Sequence, residues 1–351
     1  MPSIVKPRIV TPKLERNALG LTRLDYEGGM STLCAGCGHD SITAAVVQTF
    51  FELGLPPHMA VKLSGIGCSS KTTAYFVSQA HGFNTVHGRM PAVASGANAA
   101  HKGLTYIGIS GDGDSLSIGL GQLCHAIRRN VNMLYVLENN GVYGLTKGQF
   151  SASSDLGSKS KKGEPNQEGP IDPVSLALAL GATFVARSFS GDKEQLVPIL
   201  KAGLKHKGFA FVDVLSPCVT FNDHEGSTKS YTFIRKSKHE VVSTGFVPMS
   251  DEIAAHYPPG SVQPVVMHDG STAYLRKMDE RYDPTDRHAA YAYLKESQEK
   301  GEVATGLLYI KPDSVDLHGR EKTTDTPLRD LQYAELCPGK DRLDALMDEY
   351  L

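Results

Sequence analysis

Short apolar runs alternate with longer amphipathic stretches along most of the chain, which is typical of an α/β protein. The runs are rich in β-branched residues and predict strands that are buried on both faces. These predicted strands are Met59–Leu63, Leu104–Ile109, Val131–Leu137, Thr183–Ala186 and Phe209–Leu215. The predicted helices between them are Asp40–Leu53, Ala94–Lys102, Ser115–Arg129, Pro173–Leu180 and Lys193–His206. The alternation favours a doubly wound, mostly parallel sheet.

The two ends of the chain and one internal segment lack this regular pattern. We expect a domain over residues 25–240, preceded by an irregular arm at 1–24 and followed by an irregular extension at 241–351, with one helix at Asp286–Lys300. Ser, Gly, Lys and Pro dominate residues 148–173, which predicts a long loop. Long loops in compact domains are often functional, so this one is expected either to cover a ligand or to carry solvated lysines.

Composition excludes several classes of protein. The 351 residues suffice for a full core, and 36 basic against 38 acidic residues give a net charge of −2. This balance lacks the basic footprint of nucleic-acid binding. No apolar run reaches the roughly 18 residues that a membrane span needs, and the first residues show no signal-peptide pattern. We therefore expect a cytoplasmic protein that binds neither membranes nor nucleic acid.

Polar residues follow two consecutive predicted strands. The triplet Gly111-Asp112-Gly113 comes after the second strand, and Asn139-Asn140 comes after the third. The carboxyl ends of parallel strands meet at one edge of an open α/β sheet, where such proteins bind ligands. Glycines let the backbone approach a phosphate, and the helix that follows favours negative charge at its start. A plain turn is the alternative, because Gly-Asp-Gly is common in turns.

These two motifs together resemble the magnesium-diphosphate clamp of thiamine diphosphate enzymes. Mg²⁺ prefers hard oxygen ligands in an octahedron. The carboxylate of Asp112, the side-chain oxygen of Asn140 and the backbone carbonyl of Val142 would supply them. Asp114 adds a second carboxylate, which would stabilise the metal site without binding the metal directly.

Six cysteines lie at positions 34, 37, 68, 124, 218 and 337. Cys34 and Cys37 form a CxxC pair, which in such a chain is more often a metal or redox site than a disulfide. Cys68 and Cys218 each follow a predicted strand, so we expect them at the same edge of the sheet as the clamp. Four thiolates suit either zinc or a 4Fe-4S cluster, and a neighbouring thiamine diphosphate favours the cluster because zinc has no redox role. The cysteine at 124 is expected to be a core thiol, and that at 337 has no assigned role.

Six segments together resemble the β subunit of 2-oxoacid:ferredoxin oxidoreductases, most closely the 2-oxoglutarate type. They are CAGCGH (34–39), GIGCSS (65–70), HGRMPAVASG (87–96), GDGDSLSIG (111–119), NNGVYGLTKGQ (139–149) and SPC (216–218). The resemblance covers roughly residues 25–240, and no motif is assigned beyond residue 250.

The resemblance implies a thiamine diphosphate-type fold that holds the diphosphate half of the cofactor, Mg²⁺ and one 4Fe-4S cluster on Cys34, Cys37, Cys68 and Cys218. It also implies a partner α subunit with the pyrimidine-binding half and the activating glutamate, in an (αβ)2 assembly. The implied reaction converts a 2-oxoacid, coenzyme A and oxidised ferredoxin into an acyl-CoA, carbon dioxide and reduced ferredoxin. With 2-oxoglutarate the product would be succinyl-CoA, and a low-potential carrier would also permit the reverse, CO2-fixing direction.

The same segments imply further site residues. Three cofactor contacts are expected at Gly67, Ser69 and His87. Lys147 would hold the distal carboxylate of a dicarboxylic 2-oxoacid as a point charge, with Leu145 and Thr146 near the thiazolium. A solvated loop lysine is the alternative for Lys147. His39, like His87, is expected either to bond a phosphate or to be structural.

Two other functions remain open at this point. The first is a non-redox thiamine diphosphate decarboxylase or synthase subunit whose cysteines bind zinc, and which would be colourless. The second is a cluster-bearing electron-transfer subunit without thiamine diphosphate. Within the family, pyruvate and branched or aromatic 2-oxoacids are alternatives to 2-oxoglutarate.

Overall fold

A ten-stranded sheet lies at the centre of the computed structural model, which describes residues 13–159, 165–247, 262–268, 271–277, 282–337 and 339–350. The strands are β1 Ala60–Ser64, β2 His81–Asn84, β3 Thr105–Gly111, β4 Met133–Asn139, β5 Val142–Tyr143, β6 Gln149–Phe150, β7 Phe184–Phe189, β8 Phe209–Leu215, β9 Lys238–Val247, β10 Val262–Val266, β11 Thr272–Lys277 and β12 Val303–Ile310. The sheet order is β10-β11-β9-β12-β7-β8-β4-β3-β1-β2, and β5 pairs with β6 separately.

Helices lie before, between and after these strands along the chain. They are α1 Gly38–Glu52, α2 Ser69–Thr72, α3 Met90–Ala100, α4 Leu120–Arg129, α5 Pro173–Ala179, α6 Lys193–Lys205, α7 Tyr231–Ser237, α8 Arg287–Glu299, α9 Leu317–Glu321, α10 Tyr333–Leu336 and α11 Lys340–Asp348. Short 3-10 turns occur at Arg23–Tyr26, Pro57–Met59 and Leu328–Asp330, and a π-helical turn at Gly113–Ile118. Helices α1 and α6 pack on each other, as do α3 on α4 and α5 on α8. None of the described helices combines the length and apolar character needed to cross a bilayer.

The block from β2 to β7 is parallel throughout, and this confirms the predicted fold class. Strands β4 and β8 lie at its centre and are buried at every position. Their sequences, MLYVLEN and FAFVDVL, are apolar apart from Glu138, Asn139 and Asp213. Burial on both faces explains why these strands are nearly continuous apolar runs instead of alternating patterns.

Side-chain caps mark several helix starts. Asp172 accepts a hydrogen bond from the Val174 amide before α5, and Asp286 accepts from two amides of the first turn of α8. An Asp at this position satisfies backbone donors that have no partner within the helix. The helix predicted at Asp286–Lys300 is therefore confirmed as α8.

The predicted strands and helices of residues 25–240 are present with shifted ends, but one helix differs. The stretch predicted as a single helix at Ser115–Arg129 consists of the π-helical turn followed by α4, with a break at Gly119. A Cβ on Gly119 would lie 2.7 Å from the carbonyl oxygen of Gly88. The loop around Gly88 therefore packs directly on the break, which the local sequence could not show.

The prediction that residues 241–351 form an irregular extension is wrong. The described part of this segment adds strands to the sheet. Strand β12 pairs antiparallel with β7 and parallel with β9, and β11 then pairs with β9 and β10. Strand β12 (VATGLLYI) is buried at seven of its eight positions, so its apolar run was a visible signal that the sequence analysis did not use. The domain boundary at residue 240 stays a prediction, and β9 runs across it. Residues 1–12 of the predicted N-terminal arm lie outside the described residues.

Candidate functional site

A cavity of about 310 Å³ opens where β1, β3 and β4 end. Most of the residues predicted from the sequence line it: Gly67, Cys68, Ser69, His87, Gly111, Asp112, Gly113, Asp114, Asn140, Val142, Leu145 and Thr146. They come from separate segments that meet because the parallel strands end at one edge of the sheet. The predicted residues outside this lining are Cys34, Cys37, Cys218 and Lys147.

Asp112 follows β3 and is held by an asymmetric set of hydrogen bonds. Its side chain is 1% exposed. Oδ2 accepts from the Gly141 amide at 3.0 Å, from Ser153 Oγ at 2.6 Å and from Ser151 Oγ. Oδ1 accepts one long bond from the Asn140 amide at 3.4 Å within the described chain. The carboxylate therefore has one saturated oxygen and one that remains able to bind a cation.

The loop after β4 brings Asn140 to the cavity. The Asn140 side-chain oxygen accepts a hydrogen bond from the Val142 amide at 2.9 Å. A carbonyl oxygen has a second lone pair, so this bond still leaves a position for a ligand. The Asn140 backbone carbonyl accepts from Asn222 Nδ2 at 2.8 Å, which holds the loop in place.

Gly113 is required by the shape of the site. The hydroxyl of Tyr143 donates to the Gly113 carbonyl at 3.1 Å. A Cβ on Gly113 would lie 2.3 Å from the Tyr143 ring, closer than real Cβ contacts allow. The second glycine of the predicted triplet therefore permits the close approach of the β4 loop.

Asp114 holds the loop that carries His87. Its Oδ1 accepts from the Gly88 amide at 2.7 Å, and its Oδ2 accepts from Ser110 Oγ at 2.8 Å. The side chain lines the cavity while it is 5% exposed. In this structure Asp114 thus connects the end of β3 to the loop before α3.

Four cysteines are brought together beside the cavity. A Cβ on Gly144 would lie 3.5 Å from the sulfur of Cys68 and 3.5 Å from that of Cys218. The Cys37 amide donates to the Cys34 carbonyl at 3.0 Å, and Thr220 Oγ1 donates to Cys34 Sγ at 3.5 Å. Gly144 also lines the cavity. The possible metal ligands therefore form two neighbouring donor sets, the oxygens of Asp112 and Asn140 and the thiols of the four cysteines.

Burial favours the neutral form of two thiols in this group, Cys37 and Cys68. Cys37 and Cys68 precede the first residues of α1 and α2. Burial raises the pKa of Cys37 to about 12 and also raises the pKa of Cys68, and the nearby Cys218 adds to both shifts. Metal binding by these thiols would therefore release protons. No three described His, Cys, Asp or Glu side chains are grouped closely enough to hold a single ion.

The remaining cysteines stand apart from this group. Cys124 on α4 is half-buried, whereas a core thiol was predicted there. Cys337 is exposed. The structure gives neither of them a place beside the cavity.

A buried acid, Glu138, and a buried histidine, His39, lie close to both the cavity and the cysteines. His39 Nδ1 is 2.6 Å from Ser216 Oγ and 3.5 Å from Glu138 Oε2. Burial raises the pKa of Glu138 well above its usual range and lowers the pKa of His39 to about 4. His39 therefore lines the cavity as a neutral imidazole near pH 7, and burial favours the protonated, neutral form of Glu138. The sequence analysis missed Glu138, although a carboxylate in the apolar run of β4 was a visible signal.

Lys147 lies at the tip of the β5–β6 hairpin. Its side chain is exposed and its φ is +82°, a left-handed conformation that non-glycine residues rarely adopt. The Gly148 amide donates to the Tyr143 carbonyl at 2.9 Å, which closes the tip. Leu145 and Thr146 precede it and line the cavity. The structure thus places Lys147 next to the cavity wall, and its role stays a prediction.

Comparison with known proteins points to one group of enzymes. Residues 65–214 match the family profile described as the C-terminal TPP binding domain of thiamine pyrophosphate enzymes. The 2-oxoacid:ferredoxin oxidoreductase subunit beta of Saccharolobus solfataricus is 46% identical over 199 residues, which are 56% of this chain and 65% of that protein. The chain thus spans less than two thirds of the length of that relative.

Two further matches cover more of the compared proteins. The 2-oxoglutarate synthase subunit KorB of Methanocaldococcus jannaschii is 35% identical over 189 residues, which are 54% of this chain and 69% of that subunit. A solved structure of 2-oxoglutarate:ferredoxin oxidoreductase from Magnetococcus marinus, with 2-oxoglutarate, coenzyme A and succinyl-CoA bound, superposes with a TM-score of 0.71 at 29% identity. That match covers 96% of this chain and 99% of the other.

Proposed function

Because the chain belongs to the family of 2-oxoacid:ferredoxin oxidoreductase β subunits, we propose that it is the β subunit of a 2-oxoglutarate:ferredoxin oxidoreductase. The complete enzyme would convert 2-oxoglutarate and coenzyme A to succinyl-CoA and carbon dioxide, and would pass two electrons to ferredoxin. The names of the KorB relative and of the superposed structure support 2-oxoglutarate as the substrate. Pyruvate or another 2-oxoacid is the alternative within the family.

The observation that carries this proposal is the meeting of two donor sets at Gly144. This residue lines the same cavity as Asp112 and Asn140, and a Cβ placed on it would lie 3.5 Å from the sulfurs of Cys68 and Cys218. Oxygen ligands suited to Mg²⁺ and thiolates suited to a redox cluster therefore adjoin one cavity. A decarboxylase that releases electrons needs this neighbourhood, because its electrons must leave by a short route.

The oxygen set fits Mg²⁺ and a diphosphate. Oδ1 of Asp112, the side-chain oxygen of Asn140 and the carbonyl of Val142 would hold the metal. Gly67 has a φ of +97° and no atom within 4 Å of an added Cβ, so its backbone borders open space in the cavity wall. Ser69, Gly111 and His87 complete this wall. Thiamine diphosphate, when bound, supplies the carbanion chemistry of decarboxylation.

The thiol set fits a 4Fe-4S cluster. Cys34, Cys37, Cys68 and Cys218 would each bind a different iron, so these ligands stand further apart than four ligands on one ion. Gly144 leaves space between two of the sulfurs, where any larger side chain would contact both. The cluster, when bound, would accept single electrons and hand them to ferredoxin.

A partner subunit would complete the cofactor site. Ile118 and Leu145 line the cavity and are nevertheless 49% and 52% exposed. Apolar side chains grouped at a cavity mouth are typical of a surface that another protein covers. An α subunit carrying the pyrimidine-binding half would cover them, in an (αβ)2 assembly.

The proposal is tested with the co-expressed αβ complex under anaerobic conditions. We expect reduction of ferredoxin or methyl viologen that depends on coenzyme A and is much faster with 2-oxoglutarate than with pyruvate. An Asp112→Ala complex should keep its iron and lose thiamine diphosphate together with this activity. Absence of reduction with every 2-oxoacid, in a complex shown to contain thiamine diphosphate and iron, would overturn the proposal. A colourless complex containing zinc would favour the non-redox alternative.

A further inference from the structure

A chain of buried hydrogen bonds starts at Asp112 and leads away from the cavity. Ser153 Oγ lies 2.6 Å from Asp112 Oδ2 and 2.9 Å from Asn139 Oδ1, and its single hydroxyl proton is shared between these two acceptors. Asn139 Nδ2 donates to Asp213 Oδ1 at 3.1 Å, and Arg187 Nε donates to Asp213 Oδ2 at 2.7 Å. Three side chains thus connect the carboxylate of the acidic turn to a buried arginine.

The members of this chain are nearly inaccessible to water. Ser153 and Asn139 are each 2% exposed, Asp213 is fully buried and Arg187 is 8% exposed. Arg187 also donates through Nη2 to Asp172, the cap of α5, so it joins two acidic residues from different elements. A buried polar group that loses its partner is left without a hydrogen bond and without water, and this free-energy cost keeps such a network in one arrangement.

A second hydroxyl reinforces the same oxygen. Ser151 Oγ donates to Asp112 Oδ2 and lies 3.2 Å from Ser153 Oγ. Both serines belong to the turn that follows β6, at the start of the long loop predicted from residue 148 onward. With the Gly141 amide, three donors converge on Oδ2 and leave Oδ1 directed away from them.

We propose that Ser151 and Ser153 are positioning residues for the metal-binding carboxylate, and that the Asp213–Arg187 ion pair holds Ser153 in place through Asn139. This inference rests on the proposed Mg²⁺ and thiamine diphosphate site. A free Asp side chain rotates about its last bond, so either oxygen would face the metal in several orientations. Donors that occupy Oδ2 remove this freedom before the metal arrives, and partners of this kind raise metal affinity.

The test measures Mg²⁺-dependent binding of thiamine diphosphate to the αβ complex, after both have been removed by dialysis against a chelator. Equilibrium dialysis at a constant thiamine diphosphate concentration gives the Mg²⁺ concentration for half-saturation. Ser153→Ala should raise this concentration by about tenfold, and the Ser151→Ala, Ser153→Ala double variant should raise it further. Saturating Mg²⁺ should restore full occupancy, because the defect is one of affinity and not of folding.

Two further variants separate positioning from general damage. Ser314→Ala removes an equally buried hydroxyl that donates to the Lys207 carbonyl at 2.7 Å, near the opposite ends of the strands, and should leave the Mg²⁺ dependence unchanged. Ser153→Thr keeps the hydroxyl and should bind Mg²⁺ more tightly than Ser153→Ala. Asn139→Ala should weaken binding in the same direction as Ser153→Ala, because it disconnects the ion pair.

The outcomes that would overturn the inference differ from those that would overturn the proposed function. An unchanged Mg²⁺ dependence in Ser153→Ala, or an equal loss in Ser314→Ala, would remove the positioning role while the cofactor site stands. A wild-type complex that binds no thiamine diphosphate at any Mg²⁺ concentration would refute the proposed function itself.

Discussion

The residues of the oxygen donor set and of the thiol donor set differ in how deeply their side chains are buried. Asp112 is 1% exposed and accepts bonds from three donors on one oxygen. Cys34 is exposed, while Cys68 and Cys218 are half-buried. The thiol group therefore lies toward the surface and the oxygen group toward the interior. This arrangement suits a cluster that exchanges electrons with an external carrier while the metal-diphosphate site stays enclosed.

Cys68 offers the sharpest test of the thiol group. Cys68→Ala removes one of the two sulfurs that flank Gly144, so we expect the αβ complex to lose most of its cluster iron. Anaerobic iron and sulfide analysis, with the visible absorbance of the purified complex, measures this loss. Cys124→Ala removes a half-buried thiol on α4 and should leave the iron content at the wild-type level. Full iron in Cys68→Ala would refute the ligand assignment.

At the scale of elements, most of the predicted strands and helices are present because local periodicity carries their signal. The exceptions are elements that have no periodic apolar pattern or that are interrupted by contact with a segment far away in the sequence. Helix α4 begins only after a break at Gly119, where the Gly88 loop approaches. The edge strand β2 is exposed at all four positions, so no apolar run revealed it. The β5–β6 hairpin is shorter than any periodic signal, yet it forms one wall of the cavity.

The tip of this hairpin is where substrate preference is expected to reside. Lys147→Ala should raise the KM for 2-oxoglutarate by about tenfold, since one charge-assisted bond to the distal carboxylate is lost. The KM for pyruvate, which lacks that carboxylate, should change little. Steady-state assays of the αβ complex with both substrates measure the difference. Lys147→Arg keeps the charge at the same left-handed backbone position and serves as the matched variant. Equal changes for both substrates would contradict carboxylate recognition.

At the scale of the whole molecule, one sheet unites segments that the sequence suggested were separate. Strands β9 and β12 continue the sheet beyond β7, so the C-terminal part shares the hydrophobic core. The opposite ends of the strands carry a second buried polar cluster. His206 Nε2 lies 2.8 Å from Thr183 Oγ1, and its ring is 6.3 Å from that of His268. This cluster lies in the core far from the cavity and bears on stability.

Acid should destabilise the protein partly through His206. Burial, with a smaller effect of His268, lowers the pKa of His206 to about 3, whereas an unfolded histidine titrates near its usual value of 6.5. Below pH 6.5 the unfolded chain therefore binds a proton that the folded chain does not. Stability should fall by about 1.4 kcal/mol for each pH unit between these values.

This dependence can be measured by thermal melting of the αβ complex between pH 7 and pH 4. His206→Gln keeps an amide that can bond Thr183 and removes the titration, so its melting temperature should fall less steeply with acidification. The substitution also changes packing, which shifts the melting temperature by a similar amount at every pH. The change of melting temperature with pH therefore reports the titration of His206, and its absolute value does not. Parallel slopes for both proteins would show that His206 does not contribute to the acid sensitivity.

The chain by itself determined the parallel centre of the fold and the identity of most site residues. Apolar runs specify strands locally, and residues just after such runs must meet at one edge of a parallel sheet. Asp112, Asn140 and Cys68 could be found in this way from their positions alone. The chemistry of their side chains then limited the ligands to cations and clusters.

Only the tertiary structure decided which residues hold these groups in place. Ser153 bonds Asp112 across 41 positions, Arg187 bonds Asp213 across 26 and His39 bonds Ser216 across 177. Strand order and register set such contacts, and no local pattern encodes them. The order in which β10, β11, β9 and β12 continue the sheet from β7 likewise became visible only in the tertiary structure, because neighbours in the sheet need not be neighbours in the sequence.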